Sequence, residues 1–209
     1  MKNEVLAVSG LSCAGKSTIL MNLNKAVSPM GKPLEVMTSD VTRKLRTPDE
    51  LFRRHVSEEE HAQRTANGEY VQSIVYGTNY YSVRKADVDC ALSQDHHVLV
   101  DCVLEGVEQF KQHYSVNAVF IYASPTALYQ RHLKRGTIRE EMRWRLQNAA
   151  VELETALASG MYDLFINNTD LAQSEQKIME FLDDKPVTSD PIELDDFLSE
   201  LRNILEIIE

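Results

Sequence analysis

Gly10-Leu11-Ser12-Cys13-Ala14-Gly15-Lys16-Ser17 has the spacing G-x-x-x-x-G-K-[ST], and residues of these types at this spacing do one kind of chemistry: they hold phosphate. The glycines let backbone N–H groups curl around a β-phosphate, and the start of a helix adds positive potential. Lys16 reaches β- and γ-phosphates, and the Ser17 hydroxyl is a ligand for Mg2+. Gly10, Ser12, Cys13, Ala14, Gly15, Lys16, Ser17 and Thr18 are therefore the candidate positions for binding the phosphates of a nucleotide, with Lys16 also a catalytic candidate.

A phosphate loop alone does not separate a kinase from a GTPase or an ATPase. Asp101 ends the apolar run Val98-Leu99-Val100, a position from which a carboxylate holds the hydration shell of Mg2+, or else serves as a strand-end turn residue. Arg131 and Arg135 lie four apart on one helix face, and Arg145 stands on the next helix, beyond Gly136. Arginines on such a broken helix pair can cover a triphosphate and neutralise the charge that develops in transfer, an effect on the order of 10³-fold in rate. No Ser-His-Asp or metalloprotease spacing occurs, and His96-His97 reads as surface.

Alternating strands and helices must position these groups. Val5 to Val8 reads as a buried strand leading into the loop, and a helix follows up to Pro29. Leu34 to Met37 is a second strand, ending in a polar, basic loop from Thr38 to Asp49. A helix from about Ser57 to Asn67 opens with a capping box of Ser57 and Glu60, and two short strands, Tyr70–Tyr76 and Tyr80–Val83, flank Gly77-Thr78-Asn79. Next come a helix near 85–94, the strand ending at Asp101, a helix near 105–113 and the strand 116–122. Pro125 opens a helix that Gly136 breaks, and a long helix runs from about 140 to 158, before Gly160. Leu164 to Ile166 is the last strand and Leu171 to Leu182 the last core helix. Such alternation implies an α/β fold: a three-layer phosphate-loop core with a parallel sheet, a small β-rich insertion at about 38–84 and a helical lid at about 126–146.

The 209 residues suffice for one domain, 1–185, with a linker and a tail helix in 186–209. The tail reads as a helix capped by Asp190, with Pro191 in the first position and Glu193 closing a capping box. Its stripe of Leu194, Phe197, Leu201, Ile204 and Ile208 must be buried, on its own domain or in a homodimer or other partner contact. A net charge of -10 speaks against nucleic-acid or acidic-membrane binding, and no apolar run reaches membrane-spanning length. Lys2 and Glu4 lead straight into a strand, with no signal-peptide pattern. Cys13, Cys90 and Cys102 have neither metal-site spacing nor an even count, so free thiols in a reducing cytoplasm are expected. Within this acidic chain, basic clusters at Arg43–Arg54 and Arg131–Arg145 suggest an anionic small-molecule ligand.

Over residues 4 to 183 the chain resembles the guanylate kinase family. Thr38-Ser39-Asp40-Val41-Thr42-Arg43-Lys44-Leu45-Arg46 is similar to that family's acceptor loop, Asn67-Gly68-Glu69-Tyr70-Val71 to its G-E-F strand, and Tyr76-Gly77-Thr78 to its Y-G-[ST]. Leu128 to Thr137 resembles its lid, Arg145-Leu146-Gln147-Asn148-Ala149 its R-L-x-x-A helix, and Tyr162-Asp163 with Asn168 the segment near its adenine site. The resemblance implies ATP- and Mg2+-dependent phosphorylation of a nucleoside monophosphate, by default GMP or dGMP, without a covalent intermediate. It assigns Ser39, Arg43, Arg46 and Tyr76 to the acceptor phosphate, Thr78 to a base edge, Arg131, Arg135 and Arg145 to the transferring phosphates, and Asn168 to the donor nucleotide.

Departures from the family pattern fall in the acceptor site. Gln72 stands where the family has a glutamate that accepts from guanine, and an amide offers one acceptor where a carboxylate offers two. Val103 replaces a second aspartate, and Arg53 replaces a phosphate-binding tyrosine. Glu69, at odd spacing from Gln72, faces the other way unless a bulge intervenes. These changes leave open a different phosphorylated acceptor, such as another nucleotide or a ribose 1,5-bisphosphate-like sugar phosphate. A nucleotide-binding interaction module is the alternative outside catalysis.

Overall fold

Every residue from Val5 to Ser9 is buried in strand β1 (Val5–Gly10), which feeds the glycine loop and then helix α1 (Lys16–Leu23). A computed structural model describes residues 5–208; Lys2 and Glu4 lie outside the described residues. The elements that follow are β2 (Leu34–Val36), β3 (Ser39–Val41), β4 (Arg53–His55), α2 (Glu58–Ala66), β5 (Tyr70–Tyr76) and β6 (Asn79–Arg84). After them come α3 (Lys85–Ser93), β7 (His97–Asp101), α4 (Leu104–Lys111), β8 (Val116–Tyr122), α5 (Pro125–Lys134), α6 (Arg139–Ser159), β9 (Leu164–Asn167), α7 (Leu171–Leu182) and α8 (Leu194–Ile207). The chain forms two compact units, 5–7 with 20–117 and 8–19 with 118–208, and β1 contributes to both.

In the first unit β2 lies beside β7, and β7 beside β1. β2 and β7 are parallel, in the register Leu34↔His97 to Val36↔Leu99, and β7 is buried from His97 to Val100, which corrects the surface reading of His97: as the first residue of a covered strand it is enclosed, while His96 stays partly exposed. A separate four-stranded sheet has the order β4-β3-β6-β5. Gly77, at φ 65°, opens the two-residue turn of its β5–β6 hairpin, where a positive φ matches the strand twist. In the second unit β1, β8 and β9 are neighbours, with β8 and β9 parallel from Val119↔Leu164 to Tyr122↔Asn167. Ser124 caps α5 with Pro125 in its first turn, and Gly160 ends α6 at φ 63°, as the sequence signals predict.

The structure corrects four boundary readings. α1 stops at Leu23, because Lys25 N and Leu34 N turn the chain back by pairing with Leu34 O and Ala26 O at 2.8 Å. The polar segment 38–49 contains β3, and the basic Arg53–His55 is itself a strand; backbone pairing of β3 with β6 and of β4 with β3 outweighs their composition. Ser57 caps α2 through Glu60 N at 3.1 Å, while the Glu60 carboxylate is engaged by Arg64. Finally, α8 begins at Leu194 with Glu193 as its N-cap residue, not at Asp190. Asp190 instead accepts from Asn167 N at 2.9 Å and from Lys177, and donates its own N–H to Phe165 O. The apolar stripe of α8 packs back onto α5 and α6 of the same chain, with Phe197, Leu201, Ile204 and Ile208 buried.

Candidate functional site

Backbone carbonyls of the loop between β1 and α1 are held from outside. Asn168, buried at the end of β9, donates from Nδ2 to Ala14 O at 2.7 Å, and Arg131 Nη1 donates to the same oxygen at 3.0 Å and to Cys13 O at 3.3 Å. Arg131 Nη2 also reaches Asn168 O at 2.7 Å, and Ser174 Oγ donates to Asn168 Oδ1 at 3.0 Å. In a trans peptide the C=O and N–H point opposite ways, so holding Ala14 O outward turns the Gly15 N–H inward, the orientation an anion requires. A Cβ on Gly15 would lie 2.2 Å from Asn168 Nδ2, and one on Gly10 2.1 Å from Ile121 O, so both glycines are required by close approach. The side chains of Ser17 and Thr18 are exposed in the first turn of α1.

α5 and α6 bring their arginines to this loop. Arg145 Nη1 donates to Ser12 Oγ at 3.2 Å, while Glu141 steadies its guanidinium at 2.9 and 2.8 Å. Arg135 is exposed, its Nη1 4.0 Å from Cys13 Sγ. His132 Nδ1 lies 3.4 Å from Cys13 Sγ, and burial, with Arg145 and Arg135 nearby, lowers its pKa. Glu152 of α6, which the spacing argument missed, feels the fields of Lys16 and Arg145; loss of solvation raises its pKa and those cations oppose the rise.

Residues that the resemblance assigns to the acceptor lie in the first unit. Ser39 is buried in β3. Arg43 makes a bidentate pair with Glu50, Nη1 to Oε2 at 2.8 Å and Nη2 to Oε1 at 2.6 Å, and donates from Nε to Tyr81 Oη at 3.0 Å. The hydrogen bonds from Arg43 hold the Glu50 carboxyl down at about 2, helped by Arg46 N at 2.8 Å, although burial opposes the shift. The same bond raises Arg43. The Arg46 side chain is exposed.

The resemblance also assigns Tyr76 to the acceptor phosphate and Thr78 to a base edge. Both stand exposed at the tip of the β5–β6 hairpin, and the tyrosine hydroxyl on Arg43 is that of Tyr81. The tyrosine doublet Tyr80-Tyr81 was the available signal, since strand alternation points its two side chains to opposite faces. Asp49 and Glu50, the two carboxylates that follow Arg43, Lys44 and Arg46, were the signal for an acidic partner.

Arg53 Nη2 reaches Asp101 Oδ2 at 2.5 Å, and Nη1 donates to Phe52 O at 2.8 Å. Gln72 is buried, with no hydrogen-bond partner at Oε1, and its amide lies about 3.1 Å from where a Cβ on Gly106 would stand. A register shift does occur between Tyr70 and Gln72, but Glu69 precedes β5, is exposed and accepts from Asn67. Asp40 is fully buried and pairs with Arg54 at 2.6 Å, with Arg64, and with Tyr70 Oη at 3.0 Å. A buried carboxylate needs such partners, and these tie β3 to β4, α2 and β5 behind Ser39. Burial and Asp40 push Tyr70 up to about 12.

In the second unit the Ser17 hydroxyl is a hard oxygen donor of the kind Mg2+ accepts, and in the first unit the Asp101 carboxylate is another. Among the described residues no helix is long and apolar enough to cross a membrane.

A buried strand, a glycine loop with inward N–H, a lysine and serine at the helix start, and arginines hydrogen-bonded to the loop define an α/β phosphate-loop protein of the nucleotide-handling class. The family model "Guanylate kinase" matches residues 2–185, and the chain belongs to the guanylate kinase family. It is 34% identical over 182 residues to the guanylate kinase of Helicobacter pylori, covering 84% of each chain, and 28% identical over 185 residues to that of Thermotoga maritima, covering 86% of each. The human guanylate kinase is 27% identical over 186 residues, which cover 86% of this chain and 92% of that protein. The fold is shared with the crystal structure of guanylate kinase from Anaplasma phagocytophilum, at TM-score 0.62 and 22% identity, over 86% of this chain and 84% of that one.

Proposed function

We propose that this protein transfers the γ-phosphoryl group of ATP to GMP or dGMP, with Mg2+, in the cytoplasm. Gly10 to Thr18 bind the donor phosphates, and Lys16, Arg131, Arg135 and Arg145 neutralise the charge on the transferring group. Segment 38–84 is the acceptor-binding insertion, in which Ser39, Arg43, Arg46 and Tyr81 hold the acceptor phosphate and Gln72 meets the base. Segment 126–146 is the lid. The Ser17 hydroxyl would be a ligand for Mg2+ and Asp101 a candidate for its hydration shell, and the ion would supply neutralisation of phosphate charge. The protein itself orients two phosphates and excludes water, which is what in-line transfer requires.

The observation that carries this reading is the attachment of Arg131 and Arg145 to the loop that bears Lys16. A coupled ADP-release assay with ATP, Mg2+ and GMP tests it. Turnover of about 1–100 per second is expected, falling on the order of 10³-fold in Lys16→Ala with little change in melting temperature. ADP release that ignores the acceptor would overturn the reading.

A further inference from the structure

The family match ends at residue 185, and the chain continues along an ordered path. Phe165 N donates to Ser189 Oγ at 3.0 Å, Asp190 N to Phe165 O at 2.9 Å and Asn167 N to Asp190 Oδ2 at 2.9 Å, so the tail hydrogen-bonds along β9, the last strand in its sheet. Tyr122 Oη then fastens Pro191 O at 2.8 Å. From there α8 lays its apolar stripe across α5 and α6 and touches both at their first turns. Glu200 Oε1 accepts from Thr126 N at 2.9 Å, one of the N–H groups that the start of α5 leaves without a helical partner, where an anion is favoured by the helix dipole. Arg139 Nε, in the first residue of α6, donates to Ile208 O at 2.6 Å.

These two anchors straddle the break at Gly136, and the helices they hold carry Arg131 and Arg145. A helix pair joined through such a break is a hinged element, and its ordering must otherwise be met when nucleotide binds. We infer that residues 186–208 are a strap that positions the arginine-bearing helices α5 and α6 on the phosphate loop before the donor nucleotide arrives. This rests on the reading of α5 and α6 as the lid. Glu200, Arg139 and the stripe of α8 are positioning residues that act through Arg131 and Arg145. The strap tightens donor binding because part of the ordering is completed in folding, and it leaves acceptor binding unaltered.

The test uses the full chain and two kinds of variant, Arg139→Ala with Arg139→Lys as its conservative partner, and Leu201→Ser. Without nucleotide, amides in 126–146 are expected to exchange hydrogen at least tenfold faster in Arg139→Ala and Leu201→Ser, with β7 and β8 unchanged. The dissociation constant of a non-hydrolysable ATP analogue, by calorimetry, is expected to rise about tenfold, and the ATP KM with it. The GMP KM and kcat stay within about threefold, and Arg139→Lys recovers much of the loss. Unchanged exchange in 126–146, or analogue affinity within twofold of the parent in both variants, would overturn the strap. So would equal losses for ATP and GMP, which describe general destabilisation. Exchange and analogue binding need no turnover, so the strap stands or falls even if the full chain fails to phosphorylate GMP.

Discussion

Arg53 and Asp101 satisfy each other: the guanidinium lies 2.5 Å from the carboxylate, and each side chain is 17% exposed. The residue expected to add positive charge at the acceptor is therefore partnered with the residue expected to serve the metal. Arg53→Gln removes the cation and keeps a polar side chain of similar reach. The Mg2+ concentration for half-maximal rate is expected to fall about threefold, within the range of a partly exposed ion pair. A magnesium titration of initial rates checks it; an unchanged midpoint would mean that Asp101 does not serve the ion.

Glu50 should make the acid limb of stability its own. Its folded pKa, about 2, lies below the ordinary carboxyl range near ~4.3, so its contribution is complete above that range and is lost as pH falls towards 2. After discounting for solvent screening, the loss is about 1–2 kcal/mol. Urea melts at pH 6 and pH 3 should show the parent losing that much more than Glu50→Gln.

Gln72→Glu should raise kcat/KM for GMP about tenfold. The amide Oε1 has no partner in a buried position, and a carboxylate there supplies a second acceptor for guanine N1–H and N2–H2, each such contact contributing about 1–3 kcal/mol when otherwise unmet. Steady-state kinetics with GMP in both proteins decide the matter, and a decrease would show that the amide already suits its acceptor.

The two tyrosines separate by their positions. Tyr81→Phe deletes the hydroxyl that accepts from Arg43 and should raise the GMP KM about three- to tenfold. Tyr76→Phe, at the exposed hairpin tip, should leave it within twofold.

Much of this molecule was legible one residue at a time. The glycine loop, Pro125, Gly136 and Gly160 each reflect a local requirement, a positive φ, a close approach or a missing donor, that few residue types meet, so the donor loop and the α5–α6 pair could be read directly. The strands β3 and β4 could not be. Each is three residues long, β3 mostly polar and β4 basic, and their state depends on pairing, of β3 with β6 about forty residues away and of β4 with β3.

The acceptor side depends on tertiary structure for the same reason. Sequence spacing found Arg43, Arg53 and Asp101, but charges are redistributed by whichever opposite charge folding brings within 3 Å. That selected Glu50 for Arg43 and Asp101 for Arg53, and the hydroxyl that Arg43 meets is that of Tyr81. The amphipathic stripe of the tail determined that α8 must be covered, because exposed apolar side chains favour burial wherever a surface is offered. Which surface covers it, the arginine-bearing pair α5 and α6, was decided by the path that Ser189, Asp190 and Pro191 take along β9, and no periodicity in the chain encodes that path.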